Sequence, residues 1–165
     1  MQSAPIRVLA TGGTFDKDYL EIEGRLHFRD THVPEMLRLG RCGLPIVVEK
    51  LMLIDSLEMT DADRATILAA CRRAPEARIV ITHGTDTMEL TARALGAAGL
   101  AKTIVLTGAM VPYTFGSSDG LFNLGSALAF AQSLPVGTYV AMNGRFLRWE
   151  SVRKDKTTGV FEGSG

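Results

Sequence analysis

Short apolar segments alternate along this chain with longer stretches of helical periodicity, and that alternation constrains the fold more than any other feature. The apolar segments are residues 6–11, 46–54, 78–82, 103–107 and 137–142, rich in Val, Ile and Leu. Several are apolar almost throughout rather than alternating, which fits strands covered on both faces. Helical patterns fill the gaps. Residues 60–71 open with Thr60 as a cap and Asp61 and Asp63 in the first turn. Residues 86–98 carry Met88, Leu90, Ala94, Leu95 and Ala98, with Gly99 as the stop. Residues 119–134 carry Leu121, Leu124, Leu128 and Ala131 before Pro135, and residues 33–39 form a shorter candidate. Strands alternating with helices predict βαβ units with right-handed crossovers. The expectation is an open, parallel-sheet, three-layer α/β domain of the Rossmann/flavodoxin-like type, one domain spanning residues 1–165. Two stretches read as irregular, residues 15–30 after the first strand and 143–165 after the last. Loops of that length are usually functional or disordered.

Composition narrows the function classes. The 165 residues carry 18 Lys+Arg and 18 Asp+Glu, for a formal charge of zero. No basic run is present, so the electrostatic footprint of a nucleic-acid binder is missing. Hydrophobic residues at 46% and charged residues at 22% fit a globular chain rather than a disordered one. The N-terminal residues lack a basic, then apolar, leader pattern, and no apolar run is long enough to span a bilayer. A secretory signal and a membrane span are therefore not expected. Cys42 and Cys71 form no CxxC pair and read as free thiols of a reducing, cytoplasmic compartment.

In open α/β sheets, ligands bind outside the carboxyl ends of the strands. The first strand runs into Thr11-Gly12-Gly13-Thr14 and the second into Asp55-Ser56-Leu57-Glu58. The third runs into Thr82-His83-Gly84-Thr85-Asp86-Thr87 and the fourth into Thr107-Gly108-Ala109-Met110. Hydroxyls, glycines and an acid thus collect on one edge, the usual equipment for acyl transfer. Taken singly, each piece has a plainer reading: a tight turn at Gly12-Gly13, a helix cap at Thr85-Asp86, a loop hydroxyl at Ser56. Neither GxGxxG nor GxxxxGK[ST] is present, so dinucleotide and P-loop sites are unsupported. His27, His32 and His83 fit no metal-ligand spacing. His83, at a strand end, reads as a packed or hydrogen-bonded residue. Gly116-Ser117-Ser118-Asp119-Gly120 has the GxSxG spacing, but no strand segment runs directly into it, so no nucleophile elbow is expected.

Together the ordered motifs are specific. Ala10-Thr11-Gly12-Gly13-Thr14 and Ile81-Thr82-His83-Gly84-Thr85-Asp86-Thr87-Met88-Glu89 resemble the two signatures of bacterial-type L-asparaginases. Thr107-Gly108-Ala109-Met110-Val111-Pro112, Ser118-Asp119-Gly120-Leu121-Phe122-Asn123-Leu124 and Val140-Ala141-Met142-Asn143-Gly144 are similar to further segments of that family's first domain.

The resemblance implies hydrolysis of L-asparagine to L-aspartate and ammonia without cofactor or metal, with minor glutaminase activity. It implies Thr14 as the nucleophile and Tyr19 as the tyrosine beside it. It implies a second catalytic group of Thr85, Asp86 and a lysine, for which counting favours Lys154 over Lys156. Ser56 would hold the α-carboxylate and Asp86 the α-amino group. Gly13, Asp55, Leu57, Gly84, Ala109 and Met110 would complete the binding surface, with backbone N–H groups near Thr14, Thr85 and Ala109 at the oxyanion. Acyl-enzyme and direct water attack both remain open. Leu57 stands where many family members carry Gln, which removes a polar contact to the substrate amine. The resemblance reaches only the family's first domain, so a short form or a truncated one is expected, with weak asparagine affinity. Arg148, Trp149, Glu150 and Arg153 are candidates to complete the amine site. A dimer or tetramer is implied, with Phe146, Leu147, Trp149, Val160 and Phe161 either in a self-contact or packed on their own core. The alternatives are a non-catalytic amino-acid-binding domain, or the amide-hydrolysing subunit of a tRNA-dependent amidotransferase.

Overall fold

Residues 4–163 are described in a computed structural model. Strand β1 (Ile6–Gly12) leads through a 3-10 turn (Thr14–Asp16) into a hairpin of β2 (Lys17–Leu20) and β3 (Arg25–Phe28). Then come α1 (Val33–Leu39), β4 (Ile46–Ile54), α2 (Asp61–Arg73), β5 (Arg78–Thr82), α3 (Met88–Ala97) and β6 (Thr103–Thr107). A second 3-10 turn (Tyr113–Phe115) precedes α4 (Gly120–Ser133), β7 (Gly137–Met142), β8 (Arg145–Arg148), β9 (Val152–Lys154) and β10 (Phe161–Gly163).

The main sheet has the order β4-β1-β5-β6-β7-β8. Its first five strands are parallel, and β8 returns antiparallel to β7 along the edge. The sheet is thus mixed rather than wholly parallel. Chain order reverses between β1 and β5, and a doubly wound sheet opens its ligand crevice at the carboxyl ends of such a pair.

Side chains on successive strand positions point to opposite faces. Leu9, Ile79, Ile81, Ile104, Leu106 and Val140 pack with Ile67 and Cys71 of α2 and with Met88 and Leu95 of α3. Val8, Val80, Val105 and Ala141 pack on the other face with Met36 of α1 and Leu124 and Leu128 of α4. This is the expected three-layer architecture. Truncating a fully buried strand residue such as Ile81 to Ala would cost about 2–5 kcal/mol. The two cysteines belong to opposite layers, Cys71 on the buried face of α2 and Cys42 beside the core under α1 and α4. Burial pushes the Cys71 thiol up to about 12, so it is not a nucleophile at neutral pH.

Helix α2 starts as the sequence predicts. The Thr60 hydroxyl accepts from Asp63 N at 3.3 Å, and the Asp63 carboxylate accepts from Thr60 N at 2.7 Å. Helix α3 begins at Met88, not at Asp86, which leaves Thr85 and Asp86 on the preceding loop. Residues 15–30 and 143–163 are not irregular. The first stretch contains the β2–β3 hairpin, with Tyr19 opposite Leu26. The second contains β8 and the β9–β10 hairpin. Asn143 at φ 55° and Gly144 at φ 78° form the turn into β8. That Asn-Gly pair is a hairpin signal visible in the sequence.

The tail folds back on its own core. Phe161 is buried, and Leu147 and Trp149 pack against the α2–α3 layer. Phe146 stays partly exposed, with its ring against Phe130 and Tyr139. Among the described residues, no helix is long and apolar enough to cross a membrane.

Candidate active site

Glycines bring the β1 and β5 ends together. A Cβ on Gly13 would fall 2.3 Å from the Gly84 backbone, and one on Gly84 would fall 2.5 Å from Ser56 Oγ. No side chain fits at either position, so the two main chains touch. Gly13 also has φ 73°, a left-handed conformation that favours glycine. Its N–H donates to Ile54 O at 2.9 Å, which ties the β1 end to β4. That N–H is therefore spent on the fold. Among the described residues, the N–H groups of Thr14, Thr85 and Ala109 enter no hydrogen bond.

Thr14 opens the 3-10 turn and is half-buried. The turn is anchored by Phe15, which is fully buried, and by Asp16, whose Oδ1 accepts from His32 N at 2.8 Å at the start of α1. Burial raises the Asp16 pKa against the hydrogen bonds that oppose it, and Oδ2 has no partner among the described residues. Tyr19 follows on β2 but is 52% exposed, with its ring edge-on to Phe115 at 6.4 Å. Among the described residues its hydroxyl makes no hydrogen bond, so the structure does not join it to Thr14.

The second group is assembled. Lys154 Nζ donates to Thr85 Oγ1 at 2.8 Å and to Asp86 Oδ1 at 2.9 Å. The lysine side chain is 8% exposed and the Asp86 side chain 48%. The position is set by the backbone: Lys154 N donates to Glu89 Oε2 at 2.9 Å, and Arg93 of α3 donates to Val152 O at 3.1 Å. Lys156 is exposed and makes no hydrogen bond to either residue among those described, so of the two lysines it is Lys154 that joins Thr85 and Asp86. The Thr85 hydroxyl donates in turn toward Met110 Sδ at 3.7 Å.

Ser56 is buried, with its Oγ accepting from Thr87 N at 3.4 Å. Asp55 lies beside it, and its Oδ1 accepts from Leu57 N at 3.0 Å. Burial opposes the Asp55 charge, but an ion pair with Lys17 and the Leu57 N–H outweigh it and hold the carboxyl below its usual range. Ala109 is buried and Met110 is half-exposed. Their loop is clamped by Asp119, whose carboxylate accepts from Met110 N at 3.0 Å and Val111 N at 3.1 Å. Asn123 donates to Gly108 O at 2.8 Å behind it. Asp119 lies within one of the family segments of the sequence, but nothing in its spacing reveals that its carboxylate takes the loop N–H groups of Met110 and Val111 instead of capping the helix it precedes.

A cavity of about 470 Å³ opens among Leu57, Asp86, Met110, Lys154, Lys156 and Thr158. The proposed tail residues do not line it. Arg148 pairs with Glu150, Arg153 with Glu162, and Trp149 covers Gly96 of α3. Among the described residues no three His, Cys, Asp or Glu side chains group as metal ligands. His83 is fully buried, and desolvation lowers its pKa to about 4, aided by the charge of Arg64.

Fold and site together define a doubly wound α/β protein with a hydroxyl–lysine–carboxylate cluster at its switch point. Residues 5–161 match the family described as asparaginase, N-terminal, and the chain belongs to that family. It is 36% identical to a probable periplasmic L-asparaginase of Haemophilus influenzae, covering 94% of this chain and 47% of that protein. It is 32% identical to L-asparaginase 1 of Escherichia coli, covering 96% of this chain and 50% of that one. The thermostable L-asparaginase of Thermococcus kodakarensis superposes with a TM-score of 0.86 at 32% identity, over 96% of this chain and 51% of its own. A probable cytoplasmic L-asparaginase of Campylobacter jejuni gives 0.81 at 29% identity, over 98% of this chain and 53% of its own. The chain spans about half the length of these relatives.

Proposed function

We propose that this chain carries the amide-hydrolysing site of an L-asparaginase and converts L-asparagine and water to L-aspartate and ammonia. The observation that carries the reading is the hydrogen-bonded cluster of Lys154, Thr85 and Asp86, set against the half-buried Thr14 across the Gly13–Gly84 contact.

Ser56 binds the substrate α-carboxylate, and the free Asp86 oxygen binds its α-ammonium. Opposite charges and hydroxyl donors suit those groups. The side-chain amide carbon then lies between the two threonines. Thr14 Oγ forms a bond to that carbon, and its proton moves to Tyr19 as Tyr19 passes its own hydroxyl proton to the amide nitrogen, with the hairpin closed over the site. The oxyanion is held by the N–H groups of Thr14, Thr85 and Ala109. Collapse breaks the C–N bond, and the nitrogen leaves as ammonia with the transferred proton. A water held by Thr85, itself fixed by Lys154, adds to the ester, releases L-aspartate and restores the Thr14 hydroxyl. Direct attack by that water would use the same groups. Hydroxylamine distinguishes the routes, since it intercepts an acyl-enzyme as aspartyl hydroxamate.

Leu57 offers the substrate amine no polar contact, which supports a weak asparagine KM. L-glutamine is one methylene longer, and such a difference is worth only about 1–3 kcal/mol. Slow glutamine turnover follows. We further read the protein as a cytoplasmic homo-oligomer. The support is the separation of its two cysteines by the sheet and the partly exposed Phe122 and Phe146 on one side.

The test is ammonia release from L-asparagine by the purified chain, beside Thr14→Ala. Turnover abolished in the variant is expected. No turnover by the parent, with L-aspartate still raising its Tm, would replace this reading with an amino-acid-binding domain.

A further inference from the structure

Arg64 is a buried cation that the reaction above does not use. It projects from α2, with a side chain 8% exposed. Its one ion pair among the described residues is with the fully exposed Asp61, at 3.4 Å, and the charge of Asp63 is also near. A guanidinium taken out of water needs several good acceptors. Here Nη1 donates to Met59 O at 3.2 Å, and the other two nitrogens go to hydroxyls. Nε donates to Thr91 Oγ1 at 3.1 Å, and Nη2 donates to Thr87 Oγ1 at 3.0 Å.

Each hydroxyl, having accepted from the arginine, passes its own proton onward. The Thr87 hydroxyl donates to Ser56 O at 2.8 Å, while Thr87 N reaches Ser56 Oγ at 3.4 Å. The other branch fixes a tautomer. His83 Nδ1 lies 2.7 Å from Gly84 O, which can only accept, so Nδ1 carries the hydrogen. The buried ring is neutral, so Nε2 accepts, and the Thr91 hydroxyl donates to it at 2.7 Å. Two directed chains thus leave one guanidinium. One ends on the main chain of Ser56, the other on the carbonyl of Gly84 immediately before Thr85 and Asp86.

We propose that Arg64 is a positioning residue that aligns the carboxylate-binding Ser56 with the Thr85–Asp86 loop. The inference rests on the functional reading above, since those residues are the ones assigned to substrate. The Thr87 branch acts on Ser56 and therefore on binding. The Thr91 branch acts on the loop of the reacting hydroxyl and therefore on turnover. Hydrogen bonds in series within a desolvated site polarise one another, so neither branch is independent of the cation at its root.

The experiment measures kcat and KM for asparagine hydrolysis, with Tm for each variant. Thr87→Val keeps the volume and loses the hydroxyl. It should raise KM about tenfold, with a smaller fall in kcat, and Thr87→Ser should bring KM back to within about threefold. Thr91→Val should lower kcat more than it raises KM. Arg64→Met should do both, and Thr87→Val added to it should change KM by less than about twofold, because the branch is already broken. A lowered Tm with KM unchanged in Thr87→Val, a failure of Thr87→Ser to rescue, or full additivity with Arg64→Met would overturn the assignment. If Arg64→Met does not fold, the two Thr87 variants decide alone. A parent chain that releases no ammonia refutes the functional reading instead. The Thr87 pair is then read in L-aspartate affinity by calorimetry, where equal affinities, or none, would remove the positioning role as well.

Discussion

Gly13 and Gly84 touch main chain to main chain, closely enough that a Cβ on Gly13 would sit 2.3 Å from both Cα and N of Gly84. This contact sets the separation of the β1 and β5 ends, and hence of Thr14 from Thr85. Gly13→Ala adds a clash to a left-handed backbone at φ 73°. Overpacking and the left-handed penalty together should cost about 3 kcal/mol or more in urea unfolding. Gly84→Ala would press its methyl onto Ser56 Oγ, 2.5 Å away, and should weaken asparagine binding more than it lowers stability. A fully stable, fully active Gly13→Ala protein would show that the two ends can part without loss.

Lys154 reaches Thr85 and Asp86 from β9, far along the chain, and it is nearly buried. Lys154→Met keeps the length of the side chain and removes its donors. Turnover should fall about 10²–10⁴-fold, the range for loss of a positioned proton-handling or electrostatic group. Lys156→Met, which breaks no described hydrogen bond, should change turnover by less than about threefold in the same assay. Equal losses in the two variants would mean that charge near the cavity matters rather than the bond to Thr85.

His83 makes stability depend on pH. Its folded pKa, about 4, lies below the ordinary value of 6.5 because burial disfavours the charged ring. The unfolded chain therefore binds the proton first as pH falls. The stabilisation is complete above pH 6.5 and is lost as pH drops toward 4. The loss amounts to about 3 kcal/mol over that window. Urea unfolding between these pH values should show the slope in the parent and a flatter line in His83→Gln. Carboxylates such as Asp55, whose pKa lies below the usual range, act at lower pH, while Asp16, whose pKa burial raises, opposes the histidine slope in both parent and variant, so the difference between the two lines isolates His83.

The three layers were legible because Val, Ile and Leu mark strands whatever surrounds them, and Thr60 and Pro135 mark helix ends by local chemistry. Residues 15–30 and 143–163 were not, because β2, β3, β8, β9 and β10 are short and owe their strand character to pairing partners. Asn143-Gly144 was the one local signal of a hairpin. The site was legible where motif residues lie on strand ends: Thr14, Ser56, Thr85 and Asp86. Lys154 needed a count along the chain, and only its bond to Thr85 sets it apart from Lys156. Arg148 and Arg153 each have an acid beside them and lie outside the lining of the cavity at Lys154, a placement that depends on the tail's folding and is not written in its sequence. Arg64 carries no motif at all. A buried arginine serving two hydroxyls is a property of packing, and a sequence shows only that an arginine follows a cap.

Asp119 holds the loop over the proposed oxyanion site by three donors: Met110 N and Val111 N at 3.0 and 3.1 Å, and Asn123 Nδ2 at 3.0 Å. Met110 N is within 3.0 Å of both carboxylate oxygens. An amide has one acceptor oxygen, so Asp119→Asn must turn an NH₂ group toward at least one of these donors. The orphaned N–H should cost about 1–3 kcal/mol and loosen residues 108–111. Ala109 N–H would then point less accurately at the developing charge, and a small misplacement costs up to about 10²-fold in rate. The expected outcome is a kcat for asparagine lowered at least tenfold, against a KM changed much less, because Ser56 and Asp86 do not depend on this loop. Asp119→Glu keeps the charge on a longer arm and should not restore kcat. Equal effects on KM and kcat would place the Ala109–Met110 loop in substrate binding instead of at the oxyanion.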